Sequence, residues 1–290
     1  MKQTITLERE RTLEIYGPQN RNLEALCAQF PDLGVVARGS EIKLDGSKED
    51  IERFGEALKA LEGRQIPCGV NPADIILYSA DGKPIVARGL TQKAMVHSFG
   101  SNDVVFATGP AGTGKTYIAI ALAVRALKNR EIRRIILTRP AVEAGERLGF
   151  LPGDLKEKLD PYLQPLYDAL QDMIPPKKLQ DFLAEGVIQI APLAYMRGRT
   201  LGSSVAILDE AQNTNIGQLK MFLTRMGSGS KFIVTGDCTQ VDLPRKEDSG
   251  LLRAMHILKD IPGIADIRFT NADIVRHPLV SKIVKAFEDR

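Results

Sequence analysis

Residues 104–123 read VVFATGPAGTGKTYIAIALA. The middle of this stretch, Gly109-Pro110-Ala111-Gly112-Thr113-Gly114-Lys115-Thr116, fits the phosphate-binding pattern G-x-x-x-x-G-K-[ST] at every fixed position. Before it lies an apolar run of strand type, Val104–Ala107, and after it a run of helix type, Tyr117–Ala123. A glycine-rich turn that matched by chance would lack that strand-to-helix setting. The glycines let backbone N–H groups wrap a phosphate, which then sits at the positive end of the following helix. Gly109, Pro110, Ala111, Gly112, Thr113, Gly114 and Tyr117 are therefore expected to line a nucleotide. Lys115 is expected to reach its β- and γ-phosphates, and the Thr116 hydroxyl to hold Mg2+.

From about residue 91 onward, apolar strand runs alternate with helical stretches. The runs are Val104–Ala107, Arg134–Leu137, Val187–Ile190, Val205–Leu208, Lys231–Val234 and Ile264–Phe269. Their hydrophobicity is continuous rather than alternating, as a sheet covered on both faces requires. The expectation is an α/β domain with a mainly parallel sheet, whose ligands sit beyond the carboxyl ends of the strands.

Two further strand ends carry chemistry. Val205–Leu208 runs into Asp209-Glu210. There Asp209 would hold Mg2+ through its water shell, and Glu210 would orient and deprotonate the attacking water. Lys231–Val234 runs into Thr235-Gly236-Asp237, followed by Gln240. A polar side chain there can sense the γ-phosphate, or the segment is a glycine turn with a helix cap. Gln92 offers a donor and an acceptor, the pair needed to read adenine N6 and N7; on chemistry alone it reads first as a surface glutamine.

These runs resemble the PhoH-like ATPases, the phosphate-starvation-inducible family. The matching segments are GPAGTGKT, TRPAVEAGERLGFLPGDLKEKLDPYLQPLYD (138–168), YMRGRTL (195–201), LDEAQN (208–213), FLTRMG (222–227), VTGDCTQVDLP (234–244) and DIVRHPLV (273–280), covering most of residues 90–290. The resemblance implies a RecA-like P-loop domain similar to the first motor domain of superfamily 1 helicases. By that likeness Gln92 reads adenine, Asp209 and Glu210 are the Mg2+ and catalytic carboxylates, and Gln240 senses the γ-phosphate. Thr138-Arg139-Pro140 matches the helicase segment that touches a single-strand backbone. The implied cofactors are ATP and Mg2+. The implied partners are RNA, an RNA-processing nuclease or the ribosome, and further copies of the chain in a ring, by resemblance a hexamer.

Residues 1–65 read as a small α+β unit in the order β-β-α-β-β-α. Ile5 and Leu7, then Leu13 and Ile15, alternate as half-buried strands do. Leu23, Leu26, Cys27 and Phe30 share a helix face. Val35–Gly39 and Glu41–Leu44 form a hairpin, and Ile51, Phe54, Leu58 and Leu61 mark a second helix. The unit looks like the family's KH-like module. However, Gly17-Pro18-Gln19-Asn20 departs from the G-x-x-G clamp loop, and the unit holds 10 Lys+Arg against 12 Asp+Glu. It grips RNA, or it serves packing and assembly. Residues 66–90 connect, with a hairpin signal at Asp81-Gly82, and 91–290 form the ATPase domain.

A net charge of +3 is too small to argue nucleic-acid binding by itself. Cys27, Cys68 and Cys238 lie far apart with no C-x-x-C, which fits a reducing cytoplasm. His97, His256 and His277 show no metal-ligand spacing. The first residues carry no secretory apolar core, and no apolar run approaches the roughly 18 residues that span a bilayer. Basic residues cluster at Arg125, Lys128, Arg130, Arg133 and Arg134, and again at Arg197 and Arg199. The second group precedes the Asp209 strand and is expected on the ligand side.

A helicase of this kind needs a second motor domain to bring an arginine to the γ-phosphate, and the chain shows one phosphate loop. The expectation is an arginine from a neighbouring subunit, Arg276 first and Arg225 second. Two functions remain open: an oligomeric ATPase that remodels or translocates RNA, and a nucleotide-gated adaptor that hydrolyses slowly and presents a partner-binding surface. A small-molecule kinase fits less well, because DEAQN with Gly236-Asp237 and Gln240 points to hydrolysis.

Overall fold

A computed structural model of the chain describes residues 2–7, 12, 15–16, 20–28, 30–61, 71, 74–140, 155–243 and 245–275. The chain divides into two compact units, Met1–Val86 and Ala87–Arg290.

In the first unit, β1 (Lys2–Thr6), β2 (Gly34–Arg38) and β3 (Glu41–Asp45) form an antiparallel sheet in the order β1-β3-β2. β3 buries Ile42 and Leu44 and exposes Glu41, Lys43 and Asp45, the alternation of a sheet with one wet face. Helices α1 (Arg21–Ala28) and α2 (Lys48–Leu61) supply Leu23, Leu26, Ile51, Phe54 and Leu58 to the same core. In the β2–β3 turn Gly39 adopts φ +58°, a backbone that two-residue hairpins demand and glycine supplies without strain. The Tyr16 hydroxyl donates to the Gly39 carbonyl at 2.8 Å. A second hairpin, β4 (Ile75–Tyr78) and β5 (Pro84–Val86), turns through Gly82 at φ +79°.

The expected second strand is corrected by the structure: Ile15 and Tyr16 are helical. Both are buried. Adjacent residues of a strand point to opposite faces, whereas a helix can bury neighbours together. The apolar pair Leu13 and Ile15 spans a single period of alternation, too short to separate the two.

In the second unit, six parallel strands form one sheet: β6 (Val104–Thr108), β7 (Arg134–Arg139), β8 (Ile188–Pro192), β9 (Ser204–Leu208), β10 (Lys231–Gly236) and β11 (Ile264–Arg268). Their order is β11-β6-β10-β9-β7-β8. This is the RecA-like arrangement: β10 is interposed between the strand that enters the phosphate loop and the strand that ends in two carboxylates. α3 (Leu90–Ser101) precedes the first strand, and between the strands run α4 (Lys115–Lys128), α5 (Leu155–Met173), α6 (Pro176–Ala184), α7 (Ile216–Leu223) and α8 (Leu251–Leu258).

β6 and β9 are buried at every position, which explains their unbroken apolar sequence. Val104, Phe106, Ile136, Ala206, Leu208, Phe232 and Val234 pack against Leu219 and Phe222 of α7 and Leu251, Ala254 and Met255 of α8. The alternate residues face the other side, where α4 contacts β7, β9 and β10 and is flanked by α3 and α5. That setting explains why α4 is apolar nearly all round, burying the whole run Ile118–Val124. Thr108, Arg139, Asp209 and Asp237 are thereby gathered at the carboxyl edge of the sheet.

Candidate nucleotide-hydrolysis site

The phosphate loop leaves β6 through Gly109 at φ +139°. A Cβ there would lie 2.3 Å from the Phe269 carbonyl oxygen, so only glycine fits. Gly114 at φ +82° ends the loop as the N-cap of α4, and no side chain caps that helix. Its first-turn N–H groups face the loop as an anion site would require. One loop donor already holds an anionic oxygen: Ala111 N–H donates to Asp237 Oδ2 at 3.0 Å. Lys115, only 8% exposed, folds back over the loop. Its ammonium donates to the carbonyls of Gly109 at 2.6 Å and Pro110 at 2.7 Å. Burial lowers the Lys115 ammonium below the usual lysine range, and the carboxylates of Asp237, Glu210 and Asp209 oppose that shift.

Asp209 lies one residue beyond β9. Its N–H bonds the Thr138 carbonyl at 2.9 Å, extending the β7 ladder by one step. Its side chain is 2% exposed. Oδ1 accepts from the Thr116 hydroxyl at 2.6 Å and from the Thr235 hydroxyl at 2.6 Å. Oδ2 accepts from Arg139 Nε at 2.7 Å and lies 2.5 Å from a terminal nitrogen of the same guanidinium. Arg139 also donates to the Tyr162 carbonyl in α5 at 2.7 Å. Glu210 follows with φ +55°, a strained backbone for a residue with a Cβ, and its side chain is 44% exposed. Thus β6–α4 and β9, 93 residues apart in sequence, bring together the two groups expected to hold a metal ion. Among the described residues there is no cluster of three or more His, Cys, Asp or Glu that could cage one.

Gln212 ties the strand ends together. Its amide nitrogen donates to Glu210 Oε2 at 2.7 Å and to the Gln240 carbonyl at 3.1 Å, while its oxygen accepts from Asp237 N–H at 3.0 Å. Asp237 Oδ1 accepts from the Thr239 N–H and hydroxyl, which shapes the 237–240 turn. Gln240 itself is exposed. The sequence reading gave no role to Gln212, Thr235 or the Arg139–Asp209 pair. Gln212 stood inside the quoted DEAQN run, yet nothing in a linear pattern says which carboxylate an amide will meet.

Gln92 is buried rather than at the surface. Its oxygen accepts from Arg88 N–H at 2.9 Å and its nitrogen donates to the Thr113 carbonyl of the loop at 2.9 Å. One N–H and one lone pair remain for a base. The Tyr117 hydroxyl donates to Asp172 of α5. Burial and that carboxylate raise the Tyr117 phenol above the usual tyrosine range. Arg276 lies outside the described residues; Val275, just before it, donates its N–H to the Gly112 carbonyl. Arg225 commits its guanidinium to the carbonyls of Met221 and Arg199 and to the Thr224 hydroxyl.

Arg199 is not on the ligand side. It bonds Gln189, the second residue of β8, at 2.5 Å. The chain then runs to Ser203, at the amino end of β9, whose carbonyl accepts from Arg133 N–H. A residue shortly before a parallel strand belongs to that strand's amino end, and this geometry overrides the linear proximity to Asp209.

Residues 84–288 match the family model described as PhoH-like protein. The chain belongs to the PhoH family. It is 50% identical over 284 residues to the PhoH-like protein of Mycobacterium tuberculosis, covering 96% of this chain and 80% of that one. The PhoH-like protein of Bacillus subtilis is 46% identical over 304 residues, covering 96% and 94%. Protein PhoH of Escherichia coli is 38% identical over 279 residues, covering 92% and 79%. Among solved structures, a Sulfolobus solfataricus SWI2/SNF2 ATPase core in complex with dsDNA superposes with TM-score 0.38 at 16% identity, over 69% of this chain and 46% of that one. The Pif1 helicase of Candida albicans superposes with TM-score 0.34 at 14% identity, over 64% and 41%. The chain thus spans under half the length of either solved chain. Family and fold point to nucleotide binding and hydrolysis. Among the described residues no helix is long and apolar enough to cross a membrane.

Proposed function

We propose that this protein is a Mg2+-dependent ATP hydrolase that acts on single-stranded RNA in the cytoplasm, alongside RNA-processing partners. The observation that carries the reading is the meeting of Thr116, Asp209 and Glu210 beside a glycine loop that admits no side chain at Gly109. Lys115 would transfer its ammonium from the Gly109 and Pro110 carbonyls to the β- and γ-phosphates. The loop N–H groups and the start of α4 would hold the phosphate oxygens. Mg2+, held by Thr116 and through water by Asp209, neutralises phosphate charge when bound. Glu210 would take the proton of the attacking water, and Gln240 would contact the γ-phosphate. The free half of the Gln92 amide would read adenine. RNA contact is supported by exposed Tyr195 and exposed Arg197 on one short segment, an aromatic face with a cation beside it. A ring of identical subunits, with Arg276 of one approaching the site of the next, follows the family expectation.

One observation favours the second reading, a nucleotide-gated adaptor: the Arg139 guanidinium is committed to Asp209 rather than offered to a strand. Steady-state ATP turnover with and without single-stranded RNA separates the two. The RNA reading expects stimulation by RNA, with Glu210→Gln binding ATP normally and turning over about 100-fold or more slowly. Turnover indifferent to RNA supports the adaptor, and unchanged turnover in Glu210→Gln removes the hydrolytic assignment.

A further inference from the structure

Glu210 stands on strained backbone with a partly exposed carboxylate, so its position depends on the contacts its carboxylate makes. Among the described residues two side chains reach that carboxylate: Gln212, 1% exposed, donates to Oε2 at 2.7 Å, and the Arg139 guanidinium lies 3.8 Å from Oε1. The Gln212 amide has a single workable orientation. Its NH2 meets two oxygens, Glu210 Oε2 and the Gln240 carbonyl, and its oxygen meets the Asp237 N–H. A flip would oppose acceptor to acceptor and donor to donor. Packing keeps it there: a Cβ on Gly236 would lie 3.0 Å from Gln212 Oε1. Asp237, bonded to the amide through its backbone, reaches the phosphate loop through its side chain at Ala111. A continuous chain of hydrogen bonds therefore runs from the phosphate loop through Asp237 and Gln212 to Glu210, with Gln240 attached to the same amide.

We infer that Gln212 is a positioning residue that fixes the Glu210 carboxylate and ties its position to the 237–240 turn, so that the base is aligned only when that turn is seated. The inference rests on Glu210 acting as the base. Any shift of Gln240 toward a γ-phosphate pulls on the nitrogen that also holds Glu210. A misplacement on the scale of 1 Å costs about 10²-fold in a positioned reaction.

The Gln212→Glu variant dissects the amide. It keeps an oxygen for Asp237 N–H and loses both donations, to Glu210 and to the Gln240 carbonyl. The expected result in the full chain is turnover lower by about 10- to 100-fold, with affinity for a non-hydrolysable ATP analogue within about threefold. Gln212→Met, matched in length and lacking both functions, should behave alike and covers the case in which Gln212→Glu does not fold. In a Glu210→Gln background, either Gln212 change should slow single turnover no further, because a positioning residue acts only through its partner. Wild-type turnover in Gln212→Glu, or a loss that multiplies with that of Glu210→Gln, overturns the inference. Unchanged turnover in Glu210→Gln alone overturns the base assignment instead, so the two failures are told apart.

Discussion

Asp209 is held from both sides, by the Thr116 and Thr235 hydroxyls on one oxygen and by Arg139 on the other. The carboxylate is buried, and Arg139 is 15% exposed. Removing one partner of such a pair leaves an uncompensated charge, at a cost of about 3–5 kcal/mol. Arg139→Gln should therefore lower the melting temperature clearly in metal-free buffer. A divalent cation arriving at Asp209 restores the missing compensation, so added Mg2+ should raise the melting temperature of the variant more than that of the wild type. Equal Mg2+ shifts in the two proteins would show that Arg139 and the metal ion do not share that carboxylate. The pair also marks a limit of reading residues in a line. Thr116, Asp209 and Glu210 were legible because each ends a motif with a fixed neighbour. Arg139, Thr235 and Gln212 were legible only as members of strands and runs, since the contact each makes depends on which strand ends lie side by side. Chemistry alone reads Gln92 as a surface glutamine, and it is buried instead for the same reason: nothing in its neighbours announces that its amide will sit under the loop at Thr113.

At the scale of elements, all six strands of the large sheet were legible: the four inner ones because burial on both faces leaves an unbroken apolar run, the edge strands β8 and β11, which are only partly buried, from shorter apolar runs interrupted by polar residues. Their order was not. That β10 separates β6 from β9 is a matter of topology, and it is this interposition that brings Thr235 onto Asp209. The helix after the carboxylates was signalled locally. Asn215 and Gln218 form a capping box, each side chain bonding the other's backbone N–H at 2.9 Å. Asn215→Ala should cost about 1 kcal/mol, read as a fall of about 2–4 °C in the melting temperature of a unit this size. Nucleotide affinity should stay within about twofold, since α7 runs away from the site. The neighbouring Gly250→Ala should cost more. Its Cβ would lie 2.3 Å from Ile216 N, and backbone cannot step aside as a side chain can. A larger loss in Asn215→Ala than in Gly250→Ala would reverse this account of how α7 is seated.

For the whole molecule, the decisive fact is that every side chain of the site belongs to one unit. The chain from Gln92 through the phosphate loop, Arg139, Asp209, Glu210, Gln212 and Asp237 to Gln240 lies within Ala87–Arg290. That unit packs its own core around α7, α8 and the six-stranded sheet. One core cluster of the first unit is drawn from Leu7 to Leu58, and Ile76, Leu77 and Ile85 are buried besides. Each of these two clusters lies within its own unit, so a protein of residues 87–290 should fold and bind a non-hydrolysable ATP analogue within about threefold of the full chain. RNA supplies the sharper question. The first unit holds 10 Lys+Arg against 12 Asp+Glu through residue 65, whereas exposed Tyr195 and Arg197 belong to the second. Phosphate contacts release counterions, so the slope of log affinity against log salt counts them at about 0.7 per phosphate on a single strand. If the second unit carries the RNA contacts, deletion of residues 1–86 should leave both the affinity and that slope nearly unchanged, and Arg197→Ala should reduce the slope by about one contact. If deletion instead abolishes RNA binding while the ATP analogue still binds, the small unit is the RNA grip despite its acidic balance, and base stacking or backbone donors rather than net charge must supply it.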